Sequence, residues 1–270
     1  MTLTEALPLI LTLAAFSALA GVLAGLLGIG GGIVLVPVFA WVFDKAGYGG
    51  PDLMQICLAT SLATIVVTSA RSVMAHHGKG AVDWDILRQW APGIAIGAII
   101  GVATVSSLRT PTLQAIFGVL VMLIAIYMIV SRPSWKLAND MPQGPVKWAL
   151  SAASGFLSVL LGIGGGSLGV PLMTLHGRPI HRAVATAAGF GVLIAVPSVI
   201  AFLFLPARNA PPLTVGSVNL AAFFIVIALT MLTAPLGAAL AHRTDPVRLK
   251  RIFAGFLVIV ALNMLRKALM

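Results

Sequence analysis

The sequence predicts an all-α integral membrane protein built from two inverted repeats, and three observations carry that prediction. First, 59% of its 270 residues are hydrophobic and only 9% are charged. A soluble domain carries about a quarter charged residues, and apolar runs of ~18 or more read as transmembrane helices. Second, "GLLGIGGGIVLVP" at 25–37 returns as "VLLGIGGGSLGVP" at 159–171, a shift of 134 residues. Third, the basic residues divide unequally between the two sides of one particular topology.

The spans follow in order. The first half offers 7–27, a short piece 33–43, then 54–75, 86–108 and 112–130. The second offers 148–161, a short piece 168–175, then 183–205, 217–241 and 247–265. Further landmarks recur in the same order: "LATS" (58–61) with "VATA" (184–187), "AVDW" (81–84) with "SVNL" (217–220), "LQAIFG" (113–118) with "LKRIFA" (249–254). Residues 1–130 therefore read as one repeat, 131–147 as a polar cytoplasmic linker and 148–270 as the second repeat. The start, MTLTEALPLI, carries Glu5 and no basic stretch, which does not read as a cleavable signal.

The short pieces decide the topology. Eleven residues of helix reach about 17 Å, against a hydrocarbon core of about 30 Å. Each piece either extends the preceding helix, giving eight full spans, or folds back as a re-entrant arm, giving ten segments. With eight crossings the Lys and Arg residues split nine against eight. With folded-back arms they split five (Lys45, Arg109, Arg208, Arg266, Lys267) against twelve. The second split is a positive-inside signal. It puts the linker inside, both termini outside, and an odd number of passes in each half, so the repeats are inverted.

The glycines then acquire a purpose. Unwound backbone at membrane depth is tolerated only where protein or a water-filled cavity satisfies it. Glycine allows close approach and left-handed backbone, and Pro37 and Pro171 suit the first turn of a new helix. The unit reads as helix, glycine turn, new helix, with free N–H groups forming an anion site. This nominates Gly28, Gly30, Gly31 and Gly32, and Gly162, Gly164, Gly165 and Gly166, as substrate-binding. By contrast Gly93, Gly97 and Gly101 repeat every four residues, the pattern of a helix-packing face. That face serves either an internal neighbour or a homodimer.

The doubled "LLGIGGGxxxVP" turn, each copy followed by an "ATS"-like helix and a "VDW/VNL" helix, resembles the sulfite exporter TauE/SafE family, within the toluene-sulfonate uptake permease superfamily. The resemblance spans about residues 8–265. It implies a carrier of sulfite, organosulfonates or related small sulfur anions in the bacterial inner membrane, working in export by alternating access. In the second half Ala187 stands where the first has Ser61, so only one half offers that hydroxyl.

Hydroxyls that could join the site are Thr60, Ser61 and Thr64, with Thr186 matching Thr60, and Ser167, which follows the second turn where the first has Ile33. The competing use for such hydroxyls is bonding back to the helix's own carbonyls. Arg71 is either a deep anion partner or a snorkelling interfacial residue. The five Trp fall near span ends, as an aromatic belt requires.

Other chemistries find little support. The formal charge of +10 is scattered over short loops, with no basic surface for nucleic acid. The five histidines lie at loops or loop edges, with no metal-ligand spacing, and Cys57 stands alone. No metal or cofactor is expected, and no carboxylate falls mid-span. Residues 165–169, GGSLG, match the G-x-S-x-G of hydrolases, which would make Ser167 the nucleophile of an intramembrane serine hydrolase. That chemistry needs a histidine at membrane depth. An anion channel of the same fold is the other alternative, since glycine loops also build filters.

Overall fold

The computed structural model describes residues 3–27, 31–131, 135–241 and 246–269. Apart from one small hairpin, its regular elements are helices: α1 (Leu3–Leu27), α2 (Gly32–Phe43), α3 (Leu53–His77), α4 (Trp84–Ser107), α5 (Thr110–Val130), α6 (Gly144–Leu161), α7 (Gly166–Leu175), α8 (Ile180–Leu203), α9 (Leu220–Ala241) and α10 (Pro246–Leu269). A wide turn at Asp44–Tyr48 continues α2. Eight of the helices are long and apolar enough to cross a membrane, which makes this a multi-pass membrane protein. The two that are not, α2 and α7, are the two short pieces, with 12 and 10 residues.

Three departures from expectation have local reasons. Helix α6 starts at Gly144, inside the polar segment, because Pro145 can occupy its first turn without losing a bond. Helix α9 starts at Leu220 rather than at residue 217. Residues Thr214–Val215 and Val218–Asn219 pair as an antiparallel hairpin around Gly216, whose φ of +58° suits glycine. Pro37 and Pro171 are not in a first turn. Each is the sixth residue of its helix and removes one rung from the hydrogen-bond ladder just beyond the glycines.

Packing pairs the halves crosswise. Helix α1 lies against α9, α6 against α4, α3 against α8 and α5 against α10. Exchanging the halves returns the same set of pairs, down to single residues. Gly155 of α6 has no room for a Cβ beside the Ile94 carbonyl, and Gly101 is pressed against Phe156. Their counterparts Gly21 and Gly237 meet Thr230 and Val22 in the same way. Helices without a hydrophobic drive between them associate through such close approach of small residues. The Gly93, Gly97 and Gly101 stripe is thus covered by α6, with Ser151, Ala152 and Val159 against it. It is an internal face and leaves no surface there for a dimer.

Burial runs from the centre outward. Ten of the twelve residues of α2 are buried, as is α3 from Leu53 to Ile65 apart from Gln55. The outer faces of α1, α4, α5, α9 and α10 expose Leu11, Ile100, Leu123, Leu232 and Ile259. Apolar exposure on that scale suits lipid. Four of the five Trp are exposed, but Trp90 is buried and stacks on Phe190 of α8, with ring centroids 6.0 Å apart. It belongs to the core and not to the interfacial belt.

Candidate functional site

The second glycine turn is closed by its own backbone. Gly162 takes a left-handed φ of +58°, which lets the Ile163 N–H reach back to the Ser158 carbonyl at 3.0 Å and end α6. Residues Leu161–Ser167 are all buried. The amides of Gly164, Gly165 and Gly166 carry no hydrogen bond among the described residues, where α7 begins. A helix start leaves such N–H groups without intrahelical partners and presents them to negative charge.

In the first turn Gly31 and Gly32 are described, whereas Gly28 and Gly30 lie outside the described residues. Gly31 has the same right-handed backbone as Gly165 (φ −73°, ψ −2° against φ −63°, ψ −18°). Its carbonyl accepts from both Val34 and Leu35 at 3.0 Å. Gly31 packs on Ala20, so α2 starts alongside α1 and not beyond its end. The two turns touch: a Cβ on Gly32 would run into the Gly162 carbonyl.

Close approach, and not unusual torsion, therefore accounts for most of these glycines. A Cβ on Gly165 would collide with the Ala187 carbonyl, the Phe190 side chain and the Gly191 amide of α8. Gly164 has more room, with Ile65 at 3.3 Å and the Ser69 hydroxyl at 3.6 Å from the same point.

The nominated hydroxyls are placed by long-range bonds. Ser61 donates to the Gly162 carbonyl at 2.7 Å, tying α3 to the second turn. Thr60 accepts the Asn219 N–H at 3.0 Å, and Thr186 accepts the Asp83 N–H at 2.9 Å. Asp83 and Asn219 occupy matching places in "AVDW" and "SVNL", and each caps the helix it precedes, on Ile86 and Ala222. The threonines thus hold the start of the other half's helix. Thr64 bonds back to Ser61. Ser167 is buried in the first turn of α7. Arg71 is exposed near the end of α3, outside this cluster.

Ser69, Gly191, Phe190 and Trp90 escaped the sequence reading, although they flank the second turn. Their spacing on helices looks like ordinary core. The matched "AVDW" and "SVNL" blocks were the available signal for Asp83 and Asn219.

Two cavities lie at opposite ends of α4. One, about 360 Å³, is lined by Asp83, Asp85, Gln89, Trp90, Asp140 and Arg178. The other, about 640 Å³, is lined by Asp52, Gln55, Ser106, Ser107, Arg109 and Arg208. Trp90 to Ser106 is sixteen residues of one helix, about 24 Å at ~1.5 Å per residue. No described glycine-turn residue lines either cavity. Between the first cavity and the second turn stand Trp90 and, stacked on it, Phe190, which packs on Gly165 and Gly169. His176, the histidine nearest Ser167 in sequence, lies nine residues on at the end of α7, with Nδ1 2.7 Å from the Leu172 carbonyl.

Comparison with known proteins agrees in kind. The model of the family described as Sulfite exporter TauE/SafE matches residues 13–264, and the chain belongs to that family. A "Probable membrane transporter protein" of Haemophilus influenzae is 33% identical over 93% of this chain and 96% of its own length. One of Methanocaldococcus jannaschii is 27% identical over 91% of each. One of Xylella fastidiosa is 29% identical over 90% of each. No solved structure matches the chain significantly. These relatives are named as membrane transporters and not as enzymes, and this chain is a membrane transporter.

Proposed function

We propose that this member of the family is a secondary transporter of small sulfur-containing anions, sulfite or organosulfonates, working in export by alternating access. The observation that carries the reading is the pair of abutting glycine turns. Three amides at Gly164–Gly166 carry no hydrogen bond among the described residues and are buried at the start of a helix, the arrangement that favours an oxyanion. Gly31 and Gly32 belong to the matching turn, and in this reading the repeat extends the substrate-binding role to Gly28 and Gly30. Ser61 ties α3 to the second turn, Thr60 and Thr186 hold the starts of α9 and α4, and Ser167 follows the second turn.

In this reading residues 1–130 and 148–270 are inverted repeats joined by a cytoplasmic linker at 131–147. Both termini face outward across an inner membrane. Crosswise packing of α1 on α9 and α6 on α4 lets one pair rock against the other. In this reading Trp90 and Phe190 close the linker side: Trp90 lines that cavity and stacks on Phe190, which packs on Gly165.

The test is labelled sulfite flux into proteoliposomes, with unlabelled sulfonates and sulfate as competitors. Saturable flux with counterflow, competed by sulfonates, is expected; unsaturable flux would instead mark a channel. Gly165→Leu protein that elutes as a folded species should lose at least tenfold in flux. Undiminished flux in that variant would remove the second turn from the site.

A further inference from the structure

We propose that the cavity between Arg109 and Arg208 is a collecting site for small free oxyanions, on the face opposite the 131–147 linker. The proposal rests on the anion-transporter reading, but its readout does not require transport.

Arg109 comes from the α4–α5 turn and Arg208 from the α8–α9 loop, so each half contributes one guanidinium to the same 640 Å³ space. Both side chains are exposed, and neither has a carboxylate within ion-pair distance among the described residues. The one acid lining the cavity, Asp52, is committed elsewhere: its Oδ2 accepts the backbone N–H of Arg208 at 2.8 Å. Gln55 removes competing acceptors, donating through Nε2 to the carbonyls of Ser106 at 3.3 Å and Leu108 at 3.1 Å. Asn209 donates to the Gly49 carbonyl at 3.0 Å, so the loop carrying Arg208 is pinned to the start of α3 at two adjacent residues.

The cavity at the other end of α4 has the opposite character. Two Arg and one Asp give +1 in the Arg109–Arg208 cavity; one Arg and three Asp give −2 at the linker side. A concave surface of one sign raises the local concentration of opposite charge and speeds its arrival. At ~6 Å through water, one unit charge changes the local concentration of a monovalent ion about threefold.

The experiment introduces Ser106→Cys in a Cys57→Ala background and compares the modification rates of an anionic and a cationic methanethiosulfonate reagent of similar size. The expected ratio of anionic to cationic rate exceeds that of a free model thiol. Arg109→Gln and Arg208→Gln should each lower it about three- to tenfold, because the two reagents respond in opposite senses. Sulfate, which does not react with these reagents, should slow modification beyond the ionic-strength effect seen with chloride, and the double Gln variant should lose that protection. An unchanged ratio in the double variant overturns the proposal. So does protection by phosphatidylglycerol vesicles with none by sulfate, which would assign the arginines to lipid headgroups. Flux failure with an intact ratio would count against the transport reading while leaving this site standing.

Discussion

The crosswise caps at Thr60–Asn219 and Thr186–Asp83 are the same bond made twice, and the two differ in what surrounds them. Thr60 and Asn219 are both buried, under the hairpin that ends at Asn219. The Asn219 side chain is saturated: Oδ1 accepts from Ala222 at 2.9 Å, while Nδ2 donates to the Pro212 carbonyl and the Thr214 hydroxyl, each at 2.9 Å. Thr186 is buried as well, but Asp83 is half-exposed and lines the linker-side cavity. Its carboxylate caps Ile86 at 3.2 Å and has no donors to offer. One scaffold thus has a buried cap, filled by an amide, and a half-exposed cap beside a cavity, filled by a carboxylate. The lesson is that repeated backbone geometry fixes the frame, and the burial around each cap decides which residue can fill it.

Exchanging the caps tests this most severely. Asn219→Asp loses both donated bonds and leaves an unpaired buried charge, which should cost about 3–5 kcal/mol. Asp83→Asn keeps the cap acceptor and should stay within ~0.5 kcal/mol. Thermal unfolding of the two variants in detergent reads the difference, and equal midpoints would end the distinction between a buried and a half-exposed cap.

The second test works inside one turn. Gly165→Ala drives a methyl into the backbone of α8, an overpacking cost of about 1–3 kcal/mol. Gly164→Ala meets nothing nearer than the Ile65 side chain at 3.3 Å, with the Gly191 backbone at an ordinary 3.9 Å, and should be nearly neutral. Comparable losses of flux and stability from both would show that the turn answers to torsion and not to close approach.

The smallest effect separates the two threonines. Thr60→Val leaves the buried Asn219 N–H without an acceptor, about 1–3 kcal/mol. Thr186→Val should cost less, because water in the adjoining cavity can accept from Asp83. Amide exchange at Asn219 and Asp83 should rise in the respective variants. A larger loss for Thr186→Val would contradict the assignment of the open side.

Much of the frame was legible from periodicity. Span limits fell close to the helices because apolar runs bounded by Pro, Gly and charge report local backbone state directly. The stripe at Gly93, Gly97 and Gly101 announced a packing face, though not its partner: α6 covers it, and helical spacing is the same whichever neighbour does. Trp90 illustrates the limit. A tryptophan seven residues into a helix looks interfacial until Phe190, a hundred residues away, supplies an aromatic face for it. Thr60, Ser61 and Thr186 were legible as polar residues near the glycine turns, but not as acceptor or donor to Asn219, Gly162 and Asp83.

The sequence by itself determined a polytopic helical membrane protein, two short broken helices and a doubled glycine turn. These follow from hydrophobicity, length and torsional freedom, which act over a few residues. Only the tertiary structure decided that Gly32 abuts Gly162, that each half caps the other's helix, and that the cavities at the ends of α4 carry opposite charge. Those features depend on pairings across 100 residues or more. In lipid, such pairings are selected by close fit and by satisfaction of polar groups, neither of which leaves a periodic trace along the chain.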